Sequence, residues 1–109
     1  MPESLIVNTT SGCERLITAA DRMRPTTDPL ARFHRWFGEA GRARIDLPEA
    51  MALATADATG RPSVRFVLLK EADARGFVFF TDGRSRKGRE LRARPAAALV
   101  FYWHETGKQ

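Results

Sequence analysis

Hydrophobic positions follow two different periods along the chain. In residues 28–41, Leu30, Phe33, Phe37 and Ala40 recur at spacings of three and four, which predicts one amphipathic helix. Asp28 is placed to cap it, and Pro29 suits the first helical position because its missing N–H costs nothing there. Gly41 is the expected stop. Upstream, Leu16, Ile17, Ala20 and Met23 predict a short helix over 14–23, and RPTT at 24–27 reads as a linker. Residues 1–12 show no period and read as a frayed tail, so 1–27 as a whole forms an N-terminal extension.

From residue 50 the pattern switches to strands. Met51, Leu53 and Thr55 alternate with small residues in AMALATAD, and DATGRP at 57–62 is turn chemistry. SVRFVLLK at 63–70 and FVFFT at 77–81 predict two further strands, separated by a turn at EADARG, 71–76. Ser85 can cap a short helix, RKGRELRAR, that ends before Pro95. AAALVFYW at 96–103 predicts a fourth strand. The fold class is mainly β with flanking helices, an α+β arrangement of antiparallel strands. Four strands rarely close a barrel, and the last would leave an open apolar edge. Further sheet, from more chain or a second subunit, is expected to complete it.

Composition narrows the function classes. The 109 residues suit one domain, with a second part beginning at residue 28. A single cysteine, Cys13, excludes an internal disulfide and a cysteine-cluster zinc site, and it favours a cytoplasmic setting. The N-terminus does not read as a signal peptide, and no stretch suits a membrane span. The net charge of +5 is unevenly spread. Residues 1–60 carry seven Arg and no Lys against eight acids, whereas 61–94 carry ten basic residues against four acids. Such a block attracts an anion: a phosphorylated small molecule, a nucleic acid or a membrane surface.

Within that block the strongest constellation is Arg65, Lys70, Arg86 and Lys87. Arg65 and Lys70 are five apart on one strand and point to opposite faces unless the strand bulges. Arg86 and Lys87 occupy the first turn of the short helix, where the positive end of the helix dipole already lies. An anion on the free N–H groups would reverse that penalty. Arg84, Arg89, Arg92 and Arg94 read as a solvated face. His34 reads as a surface residue, His104 has no metal-ligand partners at suitable spacing, and Ser63 and Ser85 lack a base partner. Trp36 and Trp103 read as packing residues. Nothing here supplies a strong redox or acid–base group, so demanding chemistry would need an organic cofactor.

These residues, in DPLARFHRWFGEA, AMALATADATGRPSVRFVLLK and GFVFFTDGRSRKGRELRARPAAALVFYWHETGKQ, resemble the N-terminal half of pyridoxine/pyridoxamine 5′-phosphate oxidases. The resemblance covers 28–109 and rests on the R-x-V-L-L-K strand pattern, the F-T pair, the S-R-K turn and the terminal W-H-x-x-x-x-Q. It implies a split β-barrel that forms homodimers with FMN between subunits. It also implies O₂-dependent oxidation of a phosphorylated B6 vitamer to pyridoxal 5′-phosphate. By motif, Arg65, Phe66, Val67, Leu68, Leu69 and Lys70 line FMN, with Lys70 also meeting the substrate's phosphate. Phe80 and Thr81 lie beside the flavin, Arg86 and Lys87 hold its phosphate, and Gln109 contacts it. No catalytic residue is assigned, and the family's second half, with its further contacts, falls outside the resemblance. The usual Arg-x-x-Tyr leader is not present in 1–27.

Two other readings compete. One is a related FMN oxidase acting on another ring system, such as a phenazine precursor; the W-x-E-T ending resembles that branch, while Lys70 favours a phosphorylated substrate. The other is a basic nucleic-acid-binding module. Phe77, Phe79, Phe80, Phe101 and Tyr102 lie in apolar strands and are expected in the core, which argues against it.

Overall fold

The computed structural model describes residues 3–7 and 28–109. In chain order the elements are strand β1 (Glu3–Val7), helix α1 (Pro29–Arg42), strands β2 (Ala50–Ala56), β3 (Pro62–Asp73) and β4 (Gly76–Thr81), helix α2 (Arg86–Ala93) and strand β5 (Ala98–Val100). A single 3-10 turn at His104–Thr106 follows. The sheet order is β1-β4-β3-β2-β5, with every pairing antiparallel. The expected meander is therefore its centre. Among the described residues no helix is long and apolar enough to cross a membrane.

Helix α1 starts as its sequence dictates. The Leu30 N–H donates to Asp28 Oδ1 at 3.0 Å, and Pro29 opens the first turn. Its apolar stripe then covers one face of the sheet. Phe33 meets the rings of Phe77 at 5.0 Å and Phe101 at 5.1 Å. Ala40, Met51, Leu53, Leu69, Phe79, Phe101 and Trp103 are the buried centre of this layer, with Trp36 and Phe37 packed against it. Both tryptophans pack as expected, and the indole N–H of Trp103 donates to the Pro48 carbonyl at 2.9 Å. His34 is exposed, as expected.

Several boundaries differ from the pattern reading. Glu3–Val7 is no frayed tail: it forms β1, in register with Phe77–Thr81. The free edge of β4 supplies backbone partners that no side-chain period announces. The helix expected over 14–23, and Cys13, lie outside the described residues. Strand β3 runs on to Asp73, so the expected turn at 71–76 shrinks to a tight reversal at Ala74–Arg75, where Asp73 accepts from the Arg75 N–H at 2.8 Å. The strand expected over 96–103 shortens to Ala98–Val100, because the Trp103 N–H turns to the Lys108 carbonyl, 2.8 Å away, instead of a neighbouring strand.

The second sheet face has no covering element among the described residues. Val64, Phe66 and Leu68 of β3 alternate onto it, opposite Ala54, Ala52 and Ala50 of β2. Val64 is 66% exposed and Phe66 78%. Phe80 and Tyr102 were expected in the core; they are 52% and 66% exposed. Strand alternation turns Phe80 away from its buried neighbour Phe79, because α1 shields only one face, whereas Tyr102 lies past the end of β5, next to buried Phe101.

Candidate functional site

Strand β3 is shared between two neighbours and leaves one of them midway. It pairs with β2 from Pro62 to Leu68, and with β4 only from Leu69 to Asp73. A bulge between Leu69 and Glu71 marks the changeover. Below Leu69 the two strands part. Phe80 and Thr81 run on into the 82–85 loop that opens α2, and no β4 partner stands beside Arg65–Leu68.

That loop is tightly built. Asp82 Oδ1 accepts from the Arg84 N–H at 2.9 Å, and the Ser85 hydroxyl accepts from the Gly88 N–H at 3.2 Å as the helix cap. Thr81 is buried, with its hydroxyl 3.3 Å from that of Ser85. A Cβ on Gly88 would lie 2.8 Å from the Gly83 carbonyl oxygen, so only glycine lets the loop fold back onto the helix. Arg86 and Lys87 follow, with no acid in the first turn.

A carboxylate that motif spacing did not single out organises the cations. Glu90, on α2 and only 6% exposed, accepts from the Thr55 hydroxyl of β2, from the Ser63 hydroxyl of β3 at 2.8 Å, and from Arg86 Nε at 2.9 Å. Arg65 completes a ring. Its Nη1 donates to Thr55 Oγ1 at 2.6 Å and to the Leu53 carbonyl at 3.3 Å, and its Nη2 donates to Ser63 Oγ at 2.5 Å. Arg65 Nη2 itself stands 3.6 Å from Glu90. The Thr55 hydroxyl and the Arg86 guanidinium, aided by Ser63, hold the Glu90 carboxyl well below its ordinary 4.5, at about 2, against the opposing effect of burial. The sequence carried one hint of this: Arg86 and Glu90 are four apart, a pairing distance on a helix. Thr55 and Ser63 gave none, because their approach to α2 is tertiary.

The candidate residues thus fall into two groups. Arg65 and Arg86 meet at Glu90, on the α2 side, with half-buried Lys87 next in the helix. Phe66, Leu68 and Lys70 lie on the opposite face of β3, with Phe80. Lys70 Nζ lies 5.9 Å from the Phe80 ring centroid, a cation–π distance. Arg65 and Lys70 do point to opposite faces, as their spacing implied, and the bulge does not bring them together. Val67 and Leu69 point into the core layer. Gln109 is exposed beyond the Trp103–Lys108 bridge, and Lys108 is tied to Glu39 of α1. Of the arginines read as a solvated face, Arg84 pairs with Asp82, and Arg94 Nη2 donates to the Ala58 carbonyl at 3.2 Å.

Known proteins are similar to this chain in sequence and fold. The family described as pyridoxamine 5′-phosphate oxidase matches residues 37–109. A pyridoxine/pyridoxamine 5′-phosphate oxidase of Burkholderia multivorans is 55% identical over 89 residues, which are 82% of this chain and 42% of the relative. Its counterpart in Cupriavidus taiwanensis is 55% identical over 82 residues, 75% of this chain and 39% of the relative. The chain therefore spans less than half the length of the curated relatives it matches. Among solved structures, PhzG from Burkholderia lata 383, in complex with tetrahydrophenazine-1-carboxylic acid, is similar with a TM-score of 0.74 at 40% identity, over 83% of this chain and 44% of that one. A pyridoxamine 5′-phosphate oxidase-related, FMN-binding protein of Nostoc punctiforme shares the fold, with a TM-score of 0.60 at 22% identity over 72% of this chain and 41% of that one. This chain belongs to the pyridoxamine 5′-phosphate oxidase family, and its unclosed antiparallel sheet has the fold of part of a split barrel.

Proposed function

We propose that this chain forms the FMN-holding part of an oxidase that converts pyridoxamine or pyridoxine 5′-phosphate to pyridoxal 5′-phosphate. The observation that carries the reading is the parting of β3 from β4 beside the cationic start of α2. The donor set suits FMN's two halves. A phosphate group needs cations and free N–H donors, and Arg86, Lys87 and the first turn of α2 offer both. A flat aromatic ring needs apolar surface and main-chain donors, and Phe66, Leu68, Phe80 and the Arg65–Leu68 backbone offer those. The chemistry supplied by bound FMN is two-electron oxidation with O₂ as the final acceptor. The chain's own residues bind and orient: Lys70 attracts the substrate's phosphate, and Gln109 is assigned to the flavin by its place in the family pattern. The uncovered apolar face, with Phe66 and Val64, suits burial against a second copy in a homodimer.

A second reading has its own support. PhzG was solved with a phenazine precursor, so oxidation of another ring system fits the same scaffold. Lys70 separates the two, because a phosphorylated substrate gains from that cation and a carboxylated tricycle gains less.

Titration of the purified chain with FMN, followed by flavin fluorescence, tests the proposal. Saturable binding is expected, with affinity falling about tenfold in Lys87→Ala for loss of one charge-assisted contact. Folded protein that ignores FMN, yet binds nucleic acid in a strongly salt-dependent way, would replace the flavin reading with the nucleic-acid one.

A further inference from the structure

Glu90 is a puzzle if α2 begins at a phosphate site, since a buried carboxylate beside a bound anion is electrostatically adverse. Its contacts resolve the puzzle. Glu90 accepts from Arg86 Nε, while the Arg86 side chain stays 62% exposed, so an anion can still reach its terminal nitrogens. Through the Thr55 and Ser63 hydroxyls it also fixes Arg65, whose two terminal nitrogens each donate to one of them. Three elements are thereby locked together: β2, β3 and α2. Without the carboxylate, Arg86 would be a free surface side chain that must be ordered each time an anion binds, and that ordering costs affinity.

We propose that Glu90 is a positioning residue for phosphate recognition: it pre-orders Arg86 and Arg65 through a closed hydrogen-bond ring with Thr55 and Ser63, so that the phosphate of FMN meets fixed guanidinium groups. The inference rests on the FMN reading above and extends it to a residue that does not touch the ligand. It makes a claim of sign. Were Glu90 only a nearby negative charge, removing it would strengthen anion binding. As a positioning residue, its removal weakens binding despite the more favourable charge.

The test compares FMN with riboflavin, which shares the ring and lacks the phosphate, by fluorescence titration of the whole chain. The readout is the ratio of the two affinities, which a general loosening of the sheet would leave alone. Glu90→Leu is expected to lower the FMN preference about tenfold. Glu90→Gln keeps an oxygen for Arg86 Nε and is expected to stay within about threefold of the wild type. An unchanged or increased preference in Glu90→Leu overturns the proposal. If circular dichroism shows that Glu90→Leu does not fold, Ser63→Ala decides: it removes one link of the ring, and a fall of about threefold supports the proposal while an unchanged ratio overturns it. If the wild type itself shows no FMN preference, the phosphate site at α2 is wrong, and this inference falls with it. That result is distinct from a wild-type preference that survives the substitutions.

Discussion

The two faces of β3 differ in chemistry and in fate, and the more apolar face is the exposed one. Towards α1 and α2 the strand presents Ser63, Arg65, Val67 and Leu69; away from them it presents Val64, Phe66, Leu68 and Lys70. The inner face holds a serine and an arginine and is half-buried or buried. The outer face holds two aliphatics and a phenylalanine, and Phe66 is the most exposed large apolar side chain among the described residues. Burial here follows the covering layer, not the hydrophobicity of the strand. A polar ring is bearable inside because Glu90, Thr55, Ser63 and Arg65 satisfy one another. Strands apolar on both faces belong to sheets covered on both sides, and a contiguous apolar patch of this kind marks an interaction surface.

The sharpest way to break the comparison is to truncate inside. Phe79→Ala, at a fully buried position, should cost about 3–5 kcal/mol of unfolding free energy in urea denaturation. Next comes the loop that sets the start of α2. Gly88→Ala drives a methyl against the Gly83 carbonyl and should cost about 1–3 kcal/mol, with weaker FMN binding read in the same samples.

A smaller effect tests the polar ring by acid. The folded Glu90 carboxyl is held at about 2, below its ordinary 4.5, so its favourable contribution is complete above about 4.5 and is lost as pH falls through about 2. Wild type should therefore lose stability relative to Glu90→Gln across that window, read as urea midpoints of the two proteins at each pH. The other lowered carboxylates, among them Asp57, Asp73 and Asp82, remain in both proteins and cancel in the difference. A constant difference from pH 5 to pH 2 would contradict the ring. Smallest of all is Phe66→Ala on the outer face, where the change in stability should stay within about 0.5 kcal/mol while self-association or flavin binding weakens. A loss as large as that of Phe79→Ala would mean that the outer face is already part of this chain's own core.

Local signals explain what could be read from the sequence. Asp28-Pro29 and the three-four spacing of Leu30, Phe33, Phe37 and Ala40 fixed α1, and the Gly-bearing turn at 57–60 fixed the β2–β3 hairpin. The misplaced cations at the start of α2 were visible as an anomaly of the helix dipole. What stayed hidden depends on approach between distant segments. Glu90 meets residues 27 and 35 positions away in Ser63 and Thr55. The exposure of Phe80 and Tyr102 depends on where α1 stops covering the sheet, and the pairing of β1 depends on an edge that β4 leaves free. The parting of β3 from β4, which defines the candidate site, was not legible: the pattern ends a strand at Lys70 and begins a turn at Glu71, and the bulge that marks the changeover falls at that boundary.

In the proposed arrangement the open edge of β3 at Arg65–Leu68, with Phe80 and the start of α2, receives one flavin. Amide hydrogen exchange of the chain with and without FMN tests it most directly. The account predicts new protection confined to Arg65–Lys70 and to residues 80–88, with α1 unchanged. Protection of α1, or FMN binding that leaves those two segments exchanging as before, would contradict it.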